Sequence, residues 1–332
     1  MKPREIFLSK LRRGDAPRPG IGSATSTVTS DLMDKVGAFF PEANTDAEMM
    51  ARLAGAGYTE LGFDNVMPLF SVWHESCAIG CKVNWGHREQ MPNCGQALLA
   101  DVKALLPIPR DFLKHPACAV PLQALRLLKT RYGADIAVVG KVFGPWTLGY
   151  HVYGIENFLM ASLDQPDNVK RAMRRLMDVT VGFAKAQLDA GADALCLADH
   201  CTRDLCSPAT YRDLLMEIHQ ELHEQIPCPL ILHTCGNTAD RIPFIRSTGI
   251  ECFHFDSKVP SAKARELAGD RLALMGGTSN LEVVLRGTLE TITKDIKEKL
   301  ADKIDILGPE CAVPLNAPCE NLRCFAEEAK RL

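Results

Sequence analysis

The residues best suited to chemistry lie in the segment Leu230–Asn237, which reads LILHTCGN. Its apolar beginning predicts a buried strand, and Gly236 lets the chain turn sharply beyond that strand. Residues two apart in a strand point to the same side, so His233 and Cys235 would project together. An imidazole nitrogen and a thiolate sulfur are two of the ligands that Zn2+ takes in proteins. The segment therefore predicts part of a zinc site.

A third ligand must come from elsewhere, and Cys311 is the best candidate because it closely follows the apolar run Ile304–Leu307. Two thiolates and one neutral imidazole balance the charge of Zn2+. They leave a fourth position for water or substrate, which is the arrangement of a catalytic zinc. The alternative is a buried histidine that hydrogen-bonds to the backbone beside an inert thiol.

Acidic residues also follow predicted strands. Asp256 is predicted to act as a displaceable fourth zinc ligand or to position a polar ligand, and the alternative is a contact with Lys258 or another hydrogen bond at the rim. Its neighbour His254 lies on the same face and is a weaker candidate. Asp199 is predicted to orient the substrate or a histidine near the metal.

Most of the other cysteines are expected to be packing residues in the protein interior. The chain has 13 cysteines, an odd number, and disulfides are rare in a cytosolic protein of this size. Cys201 and Cys206 are spaced too loosely for a typical metal knuckle. Cys77 and Cys81 are four residues apart, which would place them on one face of a helix, and we expect packing there rather than metal binding. Packing is also expected for the cysteines in apolar strands or the last helix, which are Cys196, Cys228, Cys252, Cys319 and Cys324.

The charge balance argues against two classes of partner. Lys and Arg number 38 and Asp and Glu number 41, so no basic excess supports binding to nucleic acid or to an anionic membrane. No apolar run approaches the roughly 20 residues that cross a bilayer. Charges interrupt the first fifteen residues, MKPREIFLSKLRRGD, where a signal peptide would be continuously apolar. We therefore expect a cytoplasmic protein.

Short apolar runs alternate with amphipathic stretches along the whole chain. Strands are predicted at Ile21–Val28, Asn65–Phe70, Ile136–Val142, Ala194–Asp199, Leu230–His233, Cys252–Asp256, Leu272–Met275 and Ile304–Leu307. Helices are predicted at Pro121–Tyr132, Asp167–Ala190, Pro208–Gln225, Ala239–Ser247, Ala262–Leu267, Leu281–Leu300 and Glu320–Leu332.

This alternation predicts a parallel sheet covered by helices. Eight strands fit an α/β fold of the TIM type, a (β/α)8 barrel that spans residues 1–332 as one domain with an N-terminal extension. A doubly wound open sheet is the main competitor, but no G-x-G-x-x-G follows any strand. Barrel enzymes carry their chemistry where the strands end, and that is where the candidate ligands fall.

The segment 71–114 is predicted to be an insertion after an early strand, irregular or built of short helices. It contains Trp73, Trp85 and Pro92. Such an insertion is either a lid or pocket wall over the active site or a passive surface excursion.

At these residues the sequence resembles the uroporphyrinogen decarboxylase superfamily, specifically its zinc-dependent branch. That branch contains the methylcobalamin:coenzyme M methyltransferases of methanogens and their bacterial relatives. The resemblance extends over most of the chain and is carried by the segments 31–37, 40–44, 78–84, 190–193, 197–199, 232–237, 307–314 and 317–318.

The resemblance implies a set of site residues. The branch's His-x-Cys motif and its distant Cys fall at His233, Cys235 and Cys311, and its acidic fourth ligand, usually Glu, falls at Asp256. The usual Gly-Cys-Gly around the last cysteine is Glu-Cys-Ala here. The Arg-Gln-Ala-Gly-Arg motif of the decarboxylases is missing, so we do not expect porphyrinogen decarboxylation.

The implied activity is transfer of a methyl group from methylcobalamin or a methylated corrinoid protein to a small thiol such as coenzyme M, with Zn2+ activating the thiol. One alternative is another corrinoid-linked methyltransferase with a different donor or acceptor, such as tetrahydrofolate. Another is a non-catalytic barrel that binds a corrinoid or tetrapyrrole and holds a structural zinc with four ligands.

Overall fold

Eight parallel strands form one sheet in the computed structural model, which describes residues 1–332. In the order β1 to β8 the strands are Gly20–Ile21, Asn65–Val66, Ala137–Phe143, Ala194–Ala198, Leu230–His233, Cys252–Phe255, Ala273–Gly276 and Ile306–Leu307. Each strand from β2 to β7 pairs with the next along the chain, and β8 pairs with β1. The predicted (β/α)8 barrel is confirmed, and the strands coincide with the apolar runs although several are shorter.

Strands β1 and β2 stand at the two ends of the strand order, and individual backbone hydrogen bonds and polar side chains connect them to close the barrel. The Asp64 N–H donates to Ile21 O at 2.7 Å, and an Asp64 carboxylate oxygen accepts from Ile21 N at 2.9 Å. The Asn65 side chain binds the backbone of Ser23 in both directions, at 3.1 and 2.8 Å. Arg18 neutralises Asp64 with two hydrogen bonds of 2.6 and 2.8 Å. Polar side chains therefore complete the sheet where the short strands leave backbone groups unpaired.

Helices surround the sheet. They are α1 Pro3–Lys10, α2 Ser30–Val36, α3 Ala47–Thr59, α4 His74–Ala78, α5 Pro116–Tyr132, α6 Pro145–Tyr153, α7 Ile155–Asp164, α8 Pro166–Asp189, α9 Pro208–Thr210, α10 Met216–Gln225, α11 Ile242–Ile245, α12 Ser261–Ala268, α13 Leu289–Ala301 and α14 Cys319–Arg331. Wider turns of π-helix lie at Tyr211–Leu215 and Asn280–Leu285. Buried apolar residues of the sheet and helices form one continuous core.

Three helices differ from the sequence prediction, and one of them, α11, covers only Ile242–Ile245 of the predicted Ala239–Ser247. The helix expected over Leu281–Leu300 is divided, and α13 begins only after Thr288, whose side chain accepts a hydrogen bond from Thr291 N. Gly287 precedes this cap and marks the break. Helix α5 begins at Pro116 and includes Pro121, which the prediction took as its start. Proline suits the first helical position because it has no N–H to leave unsatisfied.

The segment 71–114 contains α4, a hairpin of Val83–Asn84 with Asn93–Cys94, and a 3-10 turn at Phe112–Lys114. Trp73 anchors it: the indole N–H donates to Pro92 O at 3.0 Å, and the ring stacks on His151 of α6 with centroids 4.0 Å apart. The insertion is thereby fixed against the helix that follows β3. We propose that residues 1–332 form one domain with 71–114 as its insertion, a division that the continuous core supports.

No helix combines the length and hydropathy that a membrane crossing requires.

Candidate active site

His233, Cys235 and Cys311 meet at the carboxyl edge of the barrel. His233 is the last residue of β5, and Cys311 lies in the loop after β8. His233 Nε2 lies 3.0 Å from Cys235 Sγ and 3.5 Å from Cys311 Sγ, and the two sulfurs are 2.8 Å apart. The structure thus brings together the three ligands that the sequence predicts, in the only cluster of three or more potential metal ligands.

The two thiols differ in their affinity for protons. Neither cysteine is in a disulfide. The hydrogen bond from Cys235, together with His233, holds the pKa of Cys311 well below its usual range. The same hydrogen bond and burial raise the pKa of Cys235. Of the two thiols, Cys311 therefore loses its proton more readily than Cys235.

The donor set fits Zn2+. Sulfur and imidazole ligands at about 2.0–2.3 Å from a tetrahedral zinc stand about 3.4–3.8 Å from one another. The donor atoms here are separated by 2.8–3.5 Å, so a small outward movement of the thiols accommodates the ion. Two sulfurs and one nitrogen leave the fourth position to a ligand from outside the chain or to a carboxylate.

Buried polar contacts hold the loop that carries Cys311. The Glu310 carboxylate accepts hydrogen bonds from Ser257 N at 2.9 Å and Asn280 N at 2.8 Å, which tie together the loops after β6 and β7. His254 Nε2 donates to Pro309 O at 2.8 Å, and burial lowers the pKa of His254, so its ring is neutral. His254 is therefore a support of this loop rather than a member of the ligand cluster.

Asp256 fixes the turn that follows Cys235. One carboxylate oxygen accepts from Gly236 N at 2.8 Å and the other accepts from Lys258 N at 2.9 Å. Gly236 has φ +81°, and a Cβ there would lie 2.3 Å from the Thr202 hydroxyl oxygen, so only glycine fits. Asp256 is outside the cluster of three donors. Its role as fourth zinc ligand stays a prediction, whereas its contact with the backbone of Lys258 is observed.

Asp199 lies at the end of β4 within a buried polar network. One oxygen accepts from the backbone N–H and the hydroxyl of Thr147, at 2.8 and 2.9 Å, in the first turn of α6. The other oxygen lies 3.0 Å from His219 Nε2, and His219 Nδ1 lies 2.9 Å from the Tyr211 hydroxyl. A Cβ at Gly144 would lie 2.1 Å from the Asp199 carboxyl carbon, so glycine allows this close approach. The histidine that Asp199 orients is His219, outside the metal cluster.

A cavity of about 250 Å3 opens beside the metal-ligand cluster. The insertion contributes Val72 and Met91 to its wall, which supports the predicted role as a pocket wall. Lys141 of β3 also lines it, and sequence analysis did not single out this residue. A lysine in the middle of an otherwise apolar strand was the available signal.

Most of the remaining cysteines are core residues, as predicted. Cys196, Cys252 and Cys319 are buried, and burial raises the pKa of Cys228 to about 12. A larger polar cleft of about 1080 Å3 lies next to Arg12 and Arg271, at the amino ends of β6 and β7. Active sites of such barrels lie at the opposite edge, where the metal-ligand cluster is.

The parallel barrel and the cluster of two thiols and one imidazole at its carboxyl edge make this chain an α/β barrel with a candidate zinc centre. The chain belongs to the uroporphyrinogen decarboxylase family, because the family model described as Uroporphyrinogen decarboxylase (URO-D) matches residues 2–332. The resemblance seen in the sequence is thus confirmed.

Individual relatives place the chain near one group of enzymes. It is 31% identical to the methylated-thiol--coenzyme M methyltransferase of Methanosarcina mazei, over 99% of this chain and 89% of that protein. It is 29% identical to the methylcobamide:CoM methyltransferase MtaA of Methanosarcina barkeri, over 96% and 95% of the two chains. A solved methyltransferase structure from Methanosarcina mazei superposes with a TM-score of 0.96 at 27% identity, covering 100% of this chain and 99% of that one.

Proposed function

We propose that this protein is a zinc-dependent methyltransferase that moves a methyl group from a methylated corrinoid to a small thiol such as coenzyme M. The observation that carries the proposal is the cluster of His233, Cys235 and Cys311 facing a small cavity. The chain is similar over nearly its full length to Methanosarcina proteins named methylated-thiol--coenzyme M methyltransferase and methylcobamide:CoM methyltransferase. These names support the same reaction.

The reaction requires a thiolate, because a free alkyl thiol is mostly protonated at neutral pH and only the thiolate is a strong nucleophile. Bound Zn2+ would supply the Lewis acidity that deprotonates a coordinating thiol. In the transfer a sulfur–carbon bond forms and the cobalt–carbon bond breaks. Its electron pair stays on cobalt, so methyl-Co(III) becomes Co(I) and the thiol proton is released.

The chain's own residues position the reactants. His233, Cys235 and Cys311 would hold the metal ion, and their combined charge of −2 neutralises it. Asp256 and Glu310 keep the two cysteine-bearing loops in place through backbone N–H groups. Apolar groups such as Phe70 and Phe143 line the cavity and limit access of water to the acceptor sulfur.

The size of the cavity supports different places for the two proposed substrates. Pockets for drug-sized ligands measure roughly 300–1000 Å3, so about 250 Å3 suits a small thiol and is far too small for a corrinoid ring. We infer that the corrinoid presents its methyl group at the mouth of the cavity, carried by a corrinoid protein as physiological partner. A cytoplasmic location remains a prediction.

The test is methyl transfer from free methylcobalamin to coenzyme M, followed by the absorbance change of the corrinoid, with zinc-loaded and zinc-stripped protein side by side. We expect demethylation that requires both zinc and the thiol. Turnover with tetrahydrofolate but not with the thiol would indicate a different acceptor. No turnover from zinc-loaded protein with any acceptor, and a zinc bound by four protein ligands, would favour the non-catalytic alternative.

A further inference from the structure

Lys141 presents an ammonium group to the cavity that holds the metal-ligand cluster. It lies in the middle of β3, is only 4% exposed, and lines the same cavity as Cys235 and Cys311. Lysine is almost never buried to this extent unless its charge is paired. Core packing alone therefore does not explain a lysine at this position.

The backbone of Lys141 is held rigidly, whereas its side chain has no hydrogen-bond partner. The side-chain amide of Gln187 on α8 accepts from Lys141 N at 2.9 Å and donates to Lys141 O at 2.8 Å. No carboxylate lies within 4.0 Å of the ammonium nitrogen, and no hydrogen bond of that nitrogen to the protein is present. Its one close favourable contact is the Phe143 ring, with the ring centroid 5.4 Å away. An aromatic face satisfies a buried ammonium only in part.

Burial lowers the pKa of Lys141, and the acidic groups of Cys196, Glu75 and Cys311 oppose that shift; Glu75 is the only carboxyl among them. One Glu75 oxygen accepts from Phe143 N at 2.8 Å, and the other is buried without a partner. Burial also raises the pKa of Glu75 to about 7, so this group is only partly ionised at neutral pH. Lys141 is therefore left with the capacity to pair with an anion that enters the cavity.

We propose that Lys141 is the anion-binding residue of the acceptor site and selects thiols that carry a sulfonate or carboxylate on a short chain. This inference rests on the proposed function, since it assumes that the cavity holds a thiol acceptor. The acceptor sulfur would face the metal-ligand cluster, and its acidic group would face the Lys141 ammonium across the same 250 Å3 space. A charge-assisted hydrogen bond in a desolvated cavity is stronger than a neutral one.

The first experiment measures binding without turnover. Calorimetric titrations compare 2-(methylthio)ethanesulfonate with the uncharged 2-(methylthio)ethanol, using wild-type protein and the variants Lys141→Met, Lys141→Gln and Lys141→Arg. Lys185→Met, which removes an exposed lysine from α8, is the matched control. We expect the wild type and Lys185→Met to bind the sulfonate at least about tenfold more tightly than the alcohol. That preference should be lost in Lys141→Met and Lys141→Gln and largely kept in Lys141→Arg.

The second experiment measures acceptor preference. The ratio of kcat/KM for 2-mercaptoethanesulfonate to that for 2-mercaptoethanol should fall at least about tenfold in Lys141→Met, and Lys141→Glu should favour the cationic cysteamine instead. Equal wild-type affinity for charged and uncharged thioethers would overturn the inference, even if every variant failed to fold. An unchanged ratio in folded Lys141→Met would overturn it as well. Wild-type protein that methylates no thiol would contradict the proposed function, while the binding comparison would still test Lys141.

Discussion

The Sγ atoms of Cys235 and Cys311 lie 2.8 Å apart, although 76 residues separate the two cysteines in the chain. The barrel produces this proximity because the loops after β5 and β8 open at the same edge. The pair is not joined in a disulfide, and the hydrogen bond from Cys235 lowers the pKa of Cys311. Two neighbouring sulfurs, one with a lowered pKa, together with an imidazole form a site for a thiophilic metal ion.

Removing either sulfur should abolish metal binding. We expect Cys235→Ala and Cys311→Ala to lose bound zinc and methyl transfer together, because two remaining ligands cannot retain the ion. Elemental analysis of purified protein gives the zinc content, and Cys324→Ala, a change in α14 away from the cluster, is the control. Activity that survives in a zinc-free variant would refute the assignment of these ligands.

Asp256→Asn should weaken zinc binding about 10- to 100-fold without unfolding the protein. The carboxylate accepts backbone N–H bonds from Gly236 and Lys258, and an amide replaces one acceptor oxygen with a donor. Competition with a chromogenic chelator measures the affinity. Thr238→Val, a buried change in the same loop, controls for general perturbation. Affinity equal to that of the wild type would show that the turn needs no carboxylate.

Asp199→Ala should destabilise the fold by about 3 kcal/mol, because it leaves the Thr147 N–H and His219 without an acceptor in the interior. Urea denaturation provides the measurement. Tyr211→Phe removes only the hydrogen bond at the far side of His219 and should cost about 1 kcal/mol. If the two variants lose the same stability, the carboxylate is not the centre of this network.

Glu75 should make stability depend on pH. Burial raises the pKa of folded Glu75 to about 7 from a usual value of 4.5, so the folded state holds a proton that the unfolded state releases. The corresponding stability is fully present below pH 4.5 and is lost as the pH rises through 7.

The pH series of Glu75→Gln isolates this effect, since glutamine does not titrate. Relative to the wild type, the variant should gain about 3 kcal/mol between pH 4.5 and pH 8, measured by urea denaturation at each pH. Glu224→Gln, at an exposed position, should show no such trend. A constant difference between wild type and Glu75→Gln would mean that folding does not raise the pKa of Glu75.

Much of this fold can be predicted from the sequence, because strand interiors are apolar runs and metal ligands are of a few residue types. The apolar run before His233 and the run before Cys311 predict both the strands and the edge at which the ligands meet. Helices α1, α2, α3, α6 and α7 were not predicted. In α6, one glycine and several aromatic residues obscure the helical period, and its position is fixed instead by the contact between Thr147 and Asp199.

The contacts that hold the ligands were harder to predict. Asp256 and Glu310 act through backbone N–H groups on other loops, and the sequence does not indicate which loops will lie together in space. Lys141 interrupts an apolar strand, which is a local signal, but only the folded barrel reveals that its side chain lines the same cavity as the two thiols.

Zinc X-ray absorption spectroscopy of the zinc-loaded protein, recorded with and without coenzyme M, tests the central claim most directly. In the absence of thiol we expect two sulfur ligands and one imidazole nitrogen, completed by a nitrogen or oxygen ligand. Addition of the thiol should bring a third sulfur to the metal. A ligand set with four protein donors that does not change when coenzyme M is added would contradict the account.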